Sequence, residues 1–173
     1  MNERTNAAIG SAAFFVAAPG IVAGLVPWLI THWRFPEAAP WQHVVIGWLL
    51  ILISLAALIE CFARFAAKGI GTPAPIAPTP HLVVTGLYRF VRNPMYLAVL
   101  GLIFGQMFVF QHAALLAYGV VIWFCFLVFI LSYEEPHLRQ RFPEEYAAYA
   151  AAVPRWLPRL KPWRAEEKAI APE

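Results

Sequence analysis

Two short clusters hold the residue types that can do chemistry. One is the run Thr85-Gly86-Leu87-Tyr88-Arg89-Phe90-Val91-Arg92-Asn93-Pro94-Met95-Tyr96, and the other is Glu134-Glu135. Asn is a preferred helix N-cap and Pro a preferred first helical residue, so Asn93-Pro94 predicts a helix that starts at 94 with its unpaired backbone N–H groups facing outward. Such an end attracts an anion. Tyr88 and Tyr96 add ring faces and hydroxyls, Arg89 and Arg92 add cations, and Glu134 and Glu135 add carboxylates that accept hydrogen bonds or exchange protons. The competing reading is that these are ordinary flanking residues of apolar spans, with tyrosines in an aromatic belt and arginines against phosphate.

The elements that must position them are membrane helices. The chain has 173 residues, of which 61% are hydrophobic and only 13% charged, about half the charged fraction of an average soluble domain. Four segments are long enough, at roughly 20 residues, to cross a hydrocarbon core: Ala7–Ile30, Gln42–Phe65, Pro94–Phe110 and Ala113–Ser132, the third being marginal. The first run is too long for the core of a cleavable leader and is followed by further spans. The predicted fold is therefore an all-α, polytopic bundle of about four spans. Residues 1–164 form a single membrane-embedded domain and 165–173 a disordered tail.

Of the 13 basic residues, Arg34 alone falls after the first span. The other twelve lie before it, between the second and third spans, or in the tail. By the positive-inside bias both termini and the stretch from Ala66 to Asn93 are expected in the cytosol. A net charge of +3 needs anionic membrane lipids as partner and no nucleic acid. Cys61 and Cys125 fall inside spans and read as packing thiols. The sequence holds no metal-ligand cluster, phosphate-binding loop or nucleophile elbow.

Between the second and third spans, four prolines in eight positions, Pro73 to Pro80, forbid helix and predict an extended crossover that folds back on the cytosolic mouth. After the fourth span, Leu138, Phe142, Tyr146, Tyr149 and Val153 recur at helical spacing and predict one apolar face. Pro143 divides this stretch into two short helices, about 136–141 and 144–152. Farther on, Arg155, Trp156, Leu157, Arg159, Leu160, Lys161, Trp163 and Arg164 read as an interfacial anchor.

Tyr88 followed by Arg92-Asn93-Pro94-Met95-Tyr96, a helical hairpin, and then Glu134-Glu135 with Phe142-Pro143-Glu144-Glu145-Tyr146 resembles the isoprenylcysteine carboxyl methyltransferase and phospholipid methyltransferase families. The likeness covers about Leu82 to Pro158. It implies an integral membrane enzyme that uses S-adenosylmethionine, held in the inner mouth by His81, Leu82, Val83, Tyr88, Asn93, Pro94, Met95, Tyr96 and Glu134. Tyr96, Arg92 and Glu135 are the expected catalytic residues. A lipophilic acceptor would enter sideways from the bilayer. Should its nucleophile need deprotonation, Glu135, His81 and His137 are the candidate bases.

Three positions depart from the family pattern. Asn93 stands where many relatives have His, and Asn cannot titrate near neutral pH. Ile130 and Leu131 stand where prenylcysteine methyltransferases have a substrate-contacting arginine, which argues against a prenylcysteine carboxylate as acceptor. Pro143 replaces the usual glycine of the tail motif. Two other classes remain open at this level: a membrane reductase of the sterol reductase type using NADPH, and a non-enzymatic transporter or scaffold.

Overall fold

The computed structural model describes residues 17–67 and 82–164, with side chains for 17–64 and 82–164. The described residues form helices and no strands. They are α1 (Ala17–Thr31), α2 (Trp41–Ala67), α3 (Pro94–Phe110), α4 (Ala113–Arg141) and α5 (Pro143–Ala152). A single 3-10 turn, Gly86–Arg89, precedes α3. His81, the Pro-rich crossover and residues 165–173 lie outside the described residues, as do positions 7–16 of the expected first span. Two helices, Trp41–Arg64 and Ala113–Arg141, are long and apolar enough to cross a membrane, and α1 and α3 are shorter apolar helices.

Apolar all round, α3 is the helix that the others cover. Ala98, Val99 and Ile103 of α3 meet Leu58 and Phe62 of α2 and Ala23 of α1, with Tyr118, Ile122 and Phe126 of α4 closing the cluster. By contrast α2 and α4 turn large apolar residues outward, among them Leu52, Ile53, Val121 and Phe124. That is the pattern of helices whose outer solvent is lipid. The contact between α2 and α3 is close because it is built on small residues. A Cβ on Gly105 would lie 2.6 Å from Ile51 Cγ1 and 2.9 Å from the Gly47 carbonyl, and one on Gly101 would collide with Ser54. Gly20 and Gly24 share the same four-residue spacing, yet a Cβ added to either would meet no atom of another described element within 4 Å.

Two prolines shape the helices in a way the sequence pattern did not announce. The expected break before Pro136 is absent: α4 runs through it by way of a π turn at Ile130–Glu134, in which the Glu135 N–H bonds the Ile130 carbonyl. A matching π turn at Ile21–Leu25 precedes Pro27, with the Val26 N–H on Ile21. Proline donates no N–H and crowds the carbonyl four residues back, and the wider turn accommodates both defects. The carbonyls so released are used. Gln106 Nε2 donates to Ala23 O at 2.7 Å, and the Tyr118 hydroxyl donates to Val22 O at 2.8 Å. These bonds fix α1 to α3 and α4.

The face predicted from Leu138 to Val153 forms as read. Tyr146, Tyr149 and Val153 are buried together, with Leu138, Phe142, Leu82 and Val84 against them. The anchor reading of the tail is corrected in part. Leu157 and Leu160 are exposed, but the backbone around them is stitched to the rim, because Arg92 N bonds Pro154 O, Arg159 N bonds Phe90 O and Trp163 N bonds Arg89 O, all at 2.8–2.9 Å.

Gly105→Val is expected to cost about 2–3 kcal/mol by overpacking the α2–α3 contact, whereas Gly24→Val stays within about 0.5 kcal/mol. Reversible unfolding in mixed micelles measures both.

Candidate functional site

The 3-10 turn, the start of α3 and the π turn of α4 meet at one end of the bundle. Gly86 makes the approach possible. It adopts φ +62°, and a Cβ there would overlap the Arg64 and Glu60 side chains, which form an i,i+4 ion pair. Positive φ together with absent space leaves glycine as the residue that fits. The turn then sets Tyr88 against α2, where its hydroxyl pairs with the Cys61 thiol.

At the start of α3, Asn93 and Pro94 are buried while Met95 and Tyr96 are half-buried. Pro94 occupies the first turn as read, but the capping expectation for Asn93 is overturned. Its side chain makes no cap bond and donates instead to the Arg155 carbonyl at 3.3 Å. The tail competes successfully for the amide, and the first N–H groups of α3 are left without a side-chain cap. Facing them, the Tyr96 hydroxyl donates to Glu134 Oε2 at 3.0 Å, and the Tyr96 ring packs on Phe126 with centroids 4.6 Å apart. One helix hairpin thus joins residues 38 positions apart. The π turn widens the helix just at Glu134.

Arg92 and Glu135, also expected here, come together in a second group. Arg92 Nη1 donates to Glu135 Oε1 at 3.2 Å and lies 3.3 Å from the Tyr146 hydroxyl. Arg155 approaches the same carboxylate from the tail with two bonds, Nε to Oε1 at 2.8 Å and Nη2 to Oε2 at 3.1 Å. Arg139 stands one turn along at 3.9 Å. Arg89 belongs to neither group, since its Nε donates to the Trp163 carbonyl at 2.7 Å. Leu82 packs on the α5 cluster and Val83 is buried. His137 is exposed and stacks on Tyr133.

Arg155 is the residue that sequence reasoning missed. The available signal was the glutamate pair itself, because a carboxylate that folds inward demands cations, and a tail rich in arginine could supply one.

Burial, with the nearby Cys61 and Glu134 adding to it, holds the Tyr88 phenol well above the ordinary tyrosine range. Burial does the same for Tyr146 and Tyr149, with Arg92 opposing it in part. The Tyr149 hydroxyl donates to the Tyr88 carbonyl at 2.7 Å, so the α5 cluster supports the turn from behind.

Comparison with known proteins identifies the family. The phospholipid methyltransferase family profile matches residues 42–145, which takes in α2, the 3-10 turn, α3, α4 and the start of α5. The chain belongs to that family. It is also 36% identical over 78 residues to a protein of Arabidopsis thaliana named protein-S-isoprenylcysteine O-methyltransferase B. The aligned part is 44% of this chain and 39% of the plant protein, so the chain spans well under half the length of that relative. No solved structure matches the chain.

Two outcomes test the rim. Arg155→Met removes two of the bonds that compensate Glu135 and is expected to cost about 2–3 kcal/mol, less than a fully buried pair because Arg155 is partly exposed; unfolding in micelles measures it. The raised phenols give the second. The unfolded chain loses these protons first, so their contribution is intact below about pH 10 and declines as pH rises above it. Tyr149→Phe should make stability fall less steeply over that alkaline range.

Proposed function

We propose that this chain is an integral membrane methyltransferase that takes its methyl group from S-adenosylmethionine and passes it to a lipophilic acceptor. The observation that carries this reading is the contact of Tyr96 with Glu134 beside the uncapped start of α3, inside the segment that the family profile covers.

The residues fit such a donor. The head of a 17-residue helix whose first N–H groups no side chain caps suits a carboxylate. Glu134, half-buried, is an acceptor for ribose hydroxyls or an ammonium group. Tyr88 and Tyr96 present ring faces for an adenine or a sulfonium, and burial keeps the Tyr88 phenol neutral. Bound there, the sulfonium supplies an activated methyl for in-line displacement. The chain's own part is alignment and the exclusion of water, both of which favour a step that disperses charge.

Tyr96 is the catalytic residue in this reading, since it stands between the α3 start and Glu134. Arg92 and Glu135 act as positioning residues. The Glu135 oxygens already accept from two arginines, which suits holding the rim more than taking a proton. An acceptor that enters from the bilayer between α2 and α4 would meet apolar surface, and the position where prenylcysteine methyltransferases carry an arginine is taken here by Ile130, buried in the π turn. This supports an acceptor other than a prenylcysteine carboxylate. Both termini and the mouth face the cytosol in the same reading.

Titration of the purified protein with S-adenosylmethionine, S-adenosylhomocysteine and NADPH tests the donor. The first two should bind and the third should not. Glu134→Gln should weaken S-adenosylhomocysteine by about tenfold or more, the value of one charge-assisted hydrogen bond, while Glu144→Gln, on the exposed first turn of α5, leaves it unchanged. Equal binding by Glu134→Gln would refute the site. Transfer of labelled methyl into a lipid extract then identifies the acceptor.

A further inference from the structure

On the α5 side of the rim lies an open cleft of about 320 Å³, bounded by Arg92, Arg139, Arg155, Tyr146 and three alanines, Ala147, Ala150 and Ala151. Its charge is unbalanced. Three guanidiniums gather round one carboxylate, Glu135, at 2.8, 3.2 and 3.9 Å. Arg155 uses Nε and Nη2 on Glu135, and Arg92 uses Nη1. Arg92 Nε is buried with no hydrogen-bond partner among the described residues, on a side chain only 13% exposed. Arg139 makes one long ionic contact and is otherwise open to solvent. Glu144 and Glu145, in the first turn of α5, do not line the cleft.

A buried donor without a partner costs about 1–3 kcal/mol, and like charges held this close repel. An anion with several acceptor oxygens offsets the excess charge, and a rotation of the Arg92 fork would offer its Nε an acceptor as well. Guanidinium forks match phosphate oxygens in pairs, and the alanine wall lets a ligand approach the backbone of α5. The volume falls at the lower end of small-ligand sites, with room for a phosphate and its ester carbons.

The geometry points to this cleft as a phosphate-binding site, distinct from the Tyr96–Glu134 pair, that holds either the phosphate of an anionic phospholipid or a soluble phosphate. The site is a place where the rim of the bundle grips a phosphate group. It does not depend on the methyl-donor reading: the phosphate response tests it whether or not S-adenosylhomocysteine binds, and S-adenosylhomocysteine serves only to tell the two sites apart.

The test follows thermal unfolding of the full chain in neutral detergent during titration with dioctanoyl phosphatidic acid, inorganic phosphate and dioctanoylglycerol, with S-adenosylhomocysteine binding measured in parallel. Dioctanoyl phosphatidic acid should raise the midpoint saturably, and dioctanoylglycerol should not. Saturation by inorganic phosphate at equal concentration assigns a soluble phosphate; a response confined to the lipid assigns the headgroup. Arg139→Ala and Ala147→Glu, both at exposed positions, should each weaken the response about fivefold or more while leaving S-adenosylhomocysteine binding unchanged. The proposal is overturned by the absence of a saturable response, by an equal response to dioctanoylglycerol, or by variants that respond like the parent. It is also overturned when S-adenosylhomocysteine weakens in step with the phosphate ligand, since the cleft would then hold the donor's carboxylate.

Discussion

Taking a carboxylate out of water costs several kcal/mol unless cations and donors replace its hydration, and Glu135, only 6% exposed, meets that demand from two directions. Arg92 comes from the segment ahead of α3, and Arg155 comes from the tail after α5. Satisfying one buried charge therefore ties the segment ahead of α3 to the tail that follows α5. With Arg155 in place, its carbonyl takes the Asn93 amide, and Pro154 takes the Arg92 N–H. The head of α3 is thereby fixed without being capped by a side chain. The arrangement that compensates a charge also leaves a helix terminus open.

The two π turns make a related point about economy in the bundle. Each lies just before a proline, and each puts the wider turn to use. In α1 the released carbonyls receive Gln106 and Tyr118, which gives a short apolar helix polar attachment in a place where lipid offers none. In α4 the wider turn brings Glu134 to Tyr96 and Glu135 to the arginines. Adjacent residues on a regular helix point about 100° apart; here that divergence separates two groups with different chemistry, an acceptor pair on one side and a cationic cleft on the other.

Much of the fold was legible because its signals are local. Apolar runs marked α2 and α4, Pro94 marked the start of α3, and the spacing from Leu138 to Val153 marked a face that closes as one cluster. Where the reading failed, a distant partner had intervened. Asn93 has the local chemistry of a cap, yet the tail carbonyl takes its amide. Pro136 has the local chemistry of a break, yet a π turn carries the helix through.

From the sequence alone came the helical, lipid-facing character of the chain, since composition, periodicity and residue type are properties of neighbours along the chain; that its two motifs belong together came from the family resemblance. Tertiary structure decided how those motifs divide the work. Which of Glu134 and Glu135 meets a tyrosine and which meets arginines depends on one residue's rotation in a π turn and on where a tail some twenty positions later returns. Identical side chains side by side carry no such information until packing orients them.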